Sequence, residues 1–237
     1  MTAPQTTEPR IVLVTGAFGA LGAAVARKFR AQGARVMLIG HAGVPAWATQ
    51  EFPPPHTPIG GVDLTDPTAT AAALRNALGS NGALDVLVNV AGGFRSQILE
   101  KGDVATWELM FAMNLKTAVV ASQAALPYLE ARGAGCIINI GAGAAARGHV
   151  GMGPYAASKA GVERFSESLA DELKDHNITV NIVLPGTMDT PANRAGMPNA
   201  DTTRWVRPDA VADVIAFLAS DAARAVTGAA IRVFGRG

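Results

Sequence analysis

The chain of 237 residues has 20 Lys and Arg against 19 Asp and Glu, a formal net charge of +1, and no basic block. This balance does not favour nucleic acid or an anionic membrane as a partner. Hydrophobic residues make up 49% and charged residues 16%, which is enough for a large core. We find no signal-peptide pattern and no apolar run approaching the ~18 residues of a membrane span. A soluble, cytoplasmic protein is expected.

Short β-rich runs alternate with longer helical patterns. Strands are predicted at residues 10–15, 35–39, 59–63, 84–89, 136–140, 179–184 and 230–234, and helices at residues 21–32, 67–78, 104–131, 155–176 and 208–219. This alternation implies a parallel sheet with right-handed crossovers. The predicted fold is α/β, a single Rossmann-type doubly wound parallel sheet of about seven strands with helices on both faces. Residues 1–237 are expected to form one domain.

Two segments interrupt the alternation. Residues 41–60 contain five prolines, so no regular helix is expected there. Residues 186–207 are long, polar and without a period, which is typical of a functional loop, here a substrate loop or lid. The single cysteine, Cys136, lies in the apolar run GCIINIG and is expected to be buried and inert. No His and Cys cluster has metal-ligand spacing, so no metal is expected.

The stretch VTGAFGALG (residues 14–22) leaves the first strand and opens the first helix. Glycines at this junction let the backbone approach a pyrophosphate at the helix N-terminus, although a tight turn without a ligand has the same pattern. The second strand ends in Gly40 and His41, where an acid would bind a ribose 2′-hydroxyl. Without that carboxylate, NADP(H) is favoured over NAD(H). His41 either faces the 2′-phosphate or is an exposed loop histidine.

In chain order, the motifs TGAFGALG, VDLTD, NVAGG, MNLK, YAASK and LPGTMDTP resemble those of the short-chain dehydrogenase/reductase family. The resemblance covers nearly the whole chain. It implies a catalytic acid/base at Tyr155, a ribose-binding and pKa-lowering lysine at Lys159, and a relay water held by Asn114. It also implies a cofactor site formed by Gly16, Phe18, Gly19, Ala20, Leu21, Gly22, Asp63, Leu64, Asn89, Ala91, Gly92, Pro185, Gly186 and Thr190, together with Tyr155 and Lys159. Asp63 and Leu64 would hold the adenine, and Asn89, Ala91 and Gly92 would support the adenine-side ribose and the central crevice.

The spacing of Tyr155 and Lys159 suits proton transfer. A free tyrosine has a pKa near 10, and an ammonium one helical turn away favours the phenolate and lowers that pKa. The alternative is a packed phenol beside a surface charge. In this family the helices at residues 104–131 and 155–176 form the dimer interface, so the resemblance implies a homodimer or homotetramer.

The sequence departs from the family at the serine that normally hydrogen-bonds the substrate carbonyl. Ala142 takes that place, and Gly19 replaces the glycine expected at Ala20. These departures resemble the dihydropteridine reductase branch of the family. An electron-poor small-molecule acceptor, such as a quinonoid dihydropterin, an imine or a quinone, needs less help from a hydroxyl than a ketone does. The predicted function is NAD(P)H-dependent reduction of such an acceptor.

Other residues have two interpretations each. Phe94, His149, Met197 and Trp205 are predicted to line the substrate site with Ala142. His149 could replace the serine as a donor or be a bystander, and Met197 and Trp205 could cover a flat ring or anchor the loop. Two other functions stay open: an ordinary carbonyl or 3-oxoacyl-type reductase without the serine, and a weakly catalytic cofactor-binding sensor.

Overall fold

The computed structural model describes residues 8–79 and 82–236. In this part of the chain the strands are β1 (Ile11–Thr15), β2 (Arg35–Ile39), β3 (Thr57–Ile59), β4 (Val86–Asn89), β5 (Gly135–Ile140), β6 (Ile178–Pro185) and β7 (Ala230–Val233). The α-helices are α1 (Ala20–Ala31), α2 (Ala46–Glu51), α3 (Pro67–Leu78), α4 (Val104–Phe111), α5 (Thr117–Arg132), α6 (Gly153–Leu173), α7 (Pro191–Gly196) and α8 (Pro208–Leu218).

All seven strands form a single parallel sheet in the order β3-β2-β1-β4-β5-β6-β7. Side chains on successive strand residues point to opposite faces, and both faces are covered. Val12 and Val14 of β1 belong to the core on the face of α1 and α8, whereas Leu13 belongs to the core on the face of α3, α5 and α6. The predicted Rossmann-like fold is confirmed.

The strand predicted at residues 59–63 is wrong in position, because β3 pairs with β2 through Thr57–Ile59. Gly60 and Gly61 then turn the chain away. Gly61 has a φ of +73°, and its N–H donates to the carbonyl of Ala42 at 3.0 Å. Val62 and Asp63 therefore lie beyond the strand.

The expectation that residues 41–60 contain no regular helix is also wrong. The six-residue helix α2 begins after Pro45, its N-cap, and ends at Glu51, before the prolines from Pro53 onward. A short helix fits between prolines, since proline is tolerated at a helix start and disrupts only its interior.

The helix predicted at residues 104–131 is interrupted rather than uniform. A π-helical turn, Ala112–Lys116, joins α4 to α5. An 18-residue window within Val104–Arg132 has a mean hydropathy of 1.3, so this stretch is long and apolar enough to cross a membrane by length and composition. It packs against α3, α6, β4 and β5, as a core helix of a folded protein does.

Candidate functional site

The sheet leaves a crevice where the strand order reverses, between the carboxyl ends of β1 and β4. Ligands of open parallel sheets bind at such a point. The hydroxyl of Thr15, the last residue of β1, accepts hydrogen bonds from the N–H groups of Val90 (3.1 Å) and Ala91 (3.2 Å). This contact holds the glycine loop against the VAGG segment, two regions that the sequence assigned to the same site.

The glycine loop fits a phosphate group. Gly16 has a φ of +60°, and a Cβ on it would lie 2.7 Å from the Cα of Ala91, so a larger residue is excluded. A Cβ on Gly22 would lie 2.3 Å from the carbonyl oxygen of Gly16. Gly19 is the N-cap of α1, which has neither a side-chain cap nor an acid in its first turn. An open helix N-terminus of this kind favours an anion.

The other loop residues and the predicted adenine residues differ in exposure. Ala20 is exposed, Leu21 is buried in the core and Leu64 is only 6% exposed, so both leucine side chains face the interior. His41 is exposed just past β2, and Asp63 is exposed after β3. The Asp63 carboxylate accepts hydrogen bonds from the backbone N–H and the hydroxyl of Thr65, both at 2.8 Å. These bonds, the backbone one first, lower the pKa of Asp63.

The catalytic pair predicted from the sequence lies on α6, which places Tyr155 in its first turn and Lys159 one turn later. The ammonium of Lys159 is buried and donates to the carbonyl oxygen of Ile140, at the end of β5, at 2.8 Å. The Tyr155 ring is partly exposed and meets the ring of Phe94 edge-on, with centroids 5.0 Å apart and an interplanar angle of 81°.

The expected lowering of the Tyr155 pKa by Lys159 is not found in the structure. Burial raises the pKa of the Tyr155 phenol above its ordinary value of 10. Burial also lowers the pKa of Lys159 to about 8. Both shifts have the same cause, since a low-dielectric environment disfavours the charged form of either group. At neutral pH the site therefore holds a protonated phenol beside a mostly charged lysine.

Asn114 is the centre of a hydrogen-bond chain beneath this pair. It lies in the π-helical turn and is 1% exposed. Its Oδ1 accepts from the N–H of Gly93 and its Nδ2 donates to the hydroxyl of Ser158, both at 2.9 Å. A Cβ on Gly92 would lie 2.6 Å from this Oδ1 and 3.2 Å from Nζ of Lys159. The absence of a side chain at Gly92 thus lets both polar groups approach its backbone closely.

Asn89 lies deeper than its predicted role suggests. Its side chain is 3% exposed and donates to the hydroxyl of Ser122 (3.0 Å) and to Oδ1 of Asn139 (2.9 Å). Its own Oδ1 has no hydrogen-bond partner among the described residues. The side chain therefore supports the sheet below the crevice and does not face a ribose.

Ala142 is 7% exposed at the point where β5 ends and a 3-10 turn, Gly143–Ala146, begins. Its position at the carboxyl edge of the sheet matches the predicted substrate side, and its side chain offers no donor.

The remaining residues predicted for the substrate site differ in exposure. Phe94 is 48% and Met197 41% exposed, whereas Trp205 is half-buried. His149 is exposed, and its Nε2 accepts from Nε of Arg147 at 3.3 Å.

The segment after β6 is more ordered than a plain loop. Pro185 ends β6, and the N–H of Gly186 donates to Val233 at 2.9 Å. The hydroxyl of Thr190, a residue that is 8% exposed, accepts from the N–H of Asn193 and caps α7. Gly186 and Thr190, both predicted to contact the cofactor, thus form hydrogen bonds within the protein.

Sequence reasoning missed Thr15 and Ser158. Ser158 is fully buried, and its hydroxyl donates to the Tyr155 carbonyl at 2.8 Å, so it joins Asn114 to the catalytic helix. Its place within YAASK was the available signal. Cys136 is 4% exposed, as expected, and burial raises the pKa of its thiol. Within residues 8–79 and 82–236 no three His, Cys, Asp or Glu side chains are grouped as metal ligands.

Comparison with known proteins agrees with this geometry. A family model described as short chain dehydrogenase matches residues 10–200. The chain is 36% identical over 239 residues to the cis-4-hydroxycyclohexanecarboxylate dehydrogenase of Sinomonas cyclohexanicum, covering 95% of each chain. It is 32% identical over 236 residues to the 3-oxoacyl-(acyl-carrier-protein) reductase FabG of Escherichia coli strain K12, covering 96% of this chain and 97% of that one.

A solved structure has the same architecture. The crystal structure of an oxidoreductase of the short chain dehydrogenase/reductase family from Burkholderia thailandensis superposes with a TM-score of 0.84 at 35% identity, covering 97% of this chain and 92% of that chain. The finer resemblance to dihydropteridine reductases is not confirmed by these matches. The chain belongs to the short-chain dehydrogenase/reductase family and is an NAD(P)-dependent oxidoreductase.

Proposed function

We propose that the chain reduces a small-molecule C=O or C=N acceptor with NAD(P)H, with Tyr155 as the proton donor. The observation that carries this proposal is the position of Tyr155 and Lys159 one turn apart on α6, with Asn114 hydrogen-bonded to Ser158 of the same helix. A phenol, a buried ammonium and a polar chain at the carboxyl edge of the sheet have no need to meet in a protein that only binds a nucleotide.

The protonation states suit reduction. A nicotinamide cofactor, when bound, would supply a hydride to the acceptor, and the protein would have to supply a proton to the oxygen or nitrogen. Burial keeps the Tyr155 phenol protonated, so the proton is available. Lys159, with a pKa of about 8, is charged at neutral pH and favours the phenolate left after proton transfer.

The glycine loop would hold the pyrophosphate at the start of α1, and Lys159 would contact the nicotinamide ribose. For the adenosine end, NADP(H) is the proposed cofactor, with NAD(H) as the alternative. This preference is supported by Gly40, which leaves no carboxylate at the end of β2, and by the exposed His41 beside it.

The proposed acceptor is electron-poor, such as a quinonoid dihydropterin, an imine or a quinone. Ala142 supports this class, because loss of a donor to the developing oxyanion costs ~10²–10³ in rate for a carbonyl substrate. The Phe94 ring, which meets the Tyr155 ring edge-on, would give an electron-poor acceptor ring an apolar surface to contact.

An ordinary ketone or 3-oxoacyl substrate is the second proposal. The two relatives, a hydroxycyclohexanecarboxylate dehydrogenase and a 3-oxoacyl reductase, favour it by their names. In that case His149 or a water would replace the serine.

Three further properties belong to the proposal. The chain acts as one domain in the cytoplasm, and residues 186–207 form a substrate lid that brings Met197 and Trp205 over the acceptor. The lid is supported by the exposure of Met197 and by the short helix α7 that Thr190 starts. The protein assembles as a homodimer or homotetramer.

Oxidation of NADPH and NADH by the purified protein, measured with quinonoid dihydropterin, quinones, imines and ketones, tests the function. Tyr155→Phe should abolish turnover while NADPH binding, followed by fluorescence, is retained. Tyr128→Phe is the matched control, because the chain has two tyrosines and Tyr128 lies on α5. Nucleotide binding without turnover of any acceptor, or equal turnover by Tyr155→Phe, would contradict the proposal.

A further inference from the structure

The space beyond the end of β2 is filled by an aromatic ring. A Cβ on Gly40 would lie 2.2 Å from Cδ2 and 2.5 Å from Cε2 of Phe18, distances at which one of the two must move. The ring comes from the glycine loop and reaches across to the neighbouring strand. Gly40 is therefore required by Phe18, and a side chain at Gly40 is excluded while the ring stays in place.

The ring of Phe18 is held from its other side. Trp47 of α2 meets it edge-on with centroids 6.3 Å apart, and Phe52, 1% exposed, supports Trp47 at 6.4 Å. The guanidinium of Arg27 lies 5.2 Å from the centre of the Trp47 ring and is fixed by Glu51, with Nε and Oε2 2.6 Å apart. Trp47 of α2 thus packs against the ring that occupies the place of a Gly40 side chain, and this contact restricts the rotation of Phe18.

We propose that Phe18 is a specificity-determining residue for the cofactor, acting with Gly40 as one interlocked unit. In dinucleotide-binding sheets an acid at the end of this strand binds the ribose 2′-hydroxyl and repels a 2′-phosphate. Here the ring takes the place of such an acid at Gly40. No carboxylate therefore stands at this position to repel a 2′-phosphate near His41. The inference rests on the proposed function, since it explains how the cofactor of that reaction is selected.

A double-mutant cycle with Gly40→Asp and Phe18→Ala tests the coupling. Dissociation constants for NADPH and NADH are measured by fluorescence, without turnover. Gly40→Asp alone should weaken both nucleotides and change their affinity ratio by less than about threefold, because the ring and carboxylate collide. Gly40→Asp in the Phe18→Ala background should shift the ratio towards NADH by about tenfold or more, because the acid then has room to bind the ribose.

Gly43→Asp is the matched control. It adds the same charge to the same loop, and a Cβ on Gly43 has nothing within 4 Å. Its effect on the affinity ratio should be the same with Phe18 and with Ala at that position.

Gly40→Ala covers the case in which Gly40→Asp does not fold. Its melting temperature should fall in the native background, and the drop should disappear when Phe18→Ala is present. The coupling of Phe18 and Gly40 is overturned if this rescue is absent, or if Gly40→Asp shifts the affinity ratio equally in both backgrounds. Neither result contradicts the proposed function. A wild-type protein that binds neither nucleotide overturns the proposed function and this inference with it.

Discussion

Burial of Lys159 gives the protein a pH-dependent stability. Its pKa is about 8 in the folded protein against an ordinary 10.5. Between these values the unfolded chain binds the proton and the folded protein does not, so stability rises with pH across that window. Relative to Lys159→Met, the wild-type free energy of unfolding should gain up to about 3 kcal/mol from pH 8 to 10.5, at about 1.4 kcal/mol per pKa unit.

Urea unfolding of the two cofactor-free proteins across this range measures the gain. Below about pH 7 the difference between them should be constant, because Lys159 is protonated in both the folded and the unfolded state. A difference that stays constant throughout would show that the ammonium is solvated and not buried.

Ala142 allows the acceptor class to be tested by restoring a hydroxyl. Ala142→Ser should raise kcat/KM for simple ketones by about ten- to a hundredfold, because it supplies a donor to the developing oxyanion. Turnover of quinonoid dihydropterin or quinones should change little, since they need less help. Kinetics measured in parallel on ketones and on electron-poor acceptors decide between the two proposed substrate classes. A fall in ketone turnover would show that another group already occupies the space beside Ala142.

At the scale of elements, periodicity predicted most helices and strands but not the details that position the site. Nothing in a pattern of apolar residues distinguishes a π-helical turn from a regular one, so the interruption at Ala112–Lys116 was not predictable. The place of β3 was also missed, since it depends on pairing with β2 and on the turn at Gly61. Tyr155 and Lys159 were identified because their spacing is local, whereas the Phe18–Gly40 contact joins two separate elements.

The hydrogen bonds of Asn114 join the π-helical turn to its neighbours. Asn114→Ala would leave the N–H of the half-buried Gly93 unpaired and remove the donor to the buried Ser158. We expect a loss of about 2–3 kcal/mol in the free energy of unfolding, since each buried unsatisfied group costs about 1–3 kcal/mol.

Ser158→Ala is the comparison variant, because it removes one partner of Asn114 and keeps the bond to Gly93. The loss in its free energy of unfolding, measured in urea, should be smaller than the loss for Asn114→Ala. Equal losses in the free energy of unfolding would show that the hydrogen-bond chain from Gly93 to Tyr155 stabilises the protein only through Ser158.

At the scale of the whole molecule, apolar side chains remain exposed along α4 and α5. Val104 is 72%, Leu109 42%, Phe111 39% and Val119 36% exposed in the single chain. Exposed apolar surface of this kind is typical of protein interfaces. Together with the family resemblance, it predicts a homodimer or homotetramer that buries these helices.

Light scattering during gel filtration tests this assembly. The wild-type protein should have two or four times the mass of the 24.3 kDa chain. The double variant Phe111→Glu/Val119→Glu should have a smaller mass, because an uncompensated charge in a buried interface is costly. Gln50→Glu, which adds a charge to exposed α2, should leave the mass unchanged. A monomeric wild type would contradict the assembly, and a double variant that keeps the wild-type mass would show that the interface lies on another surface.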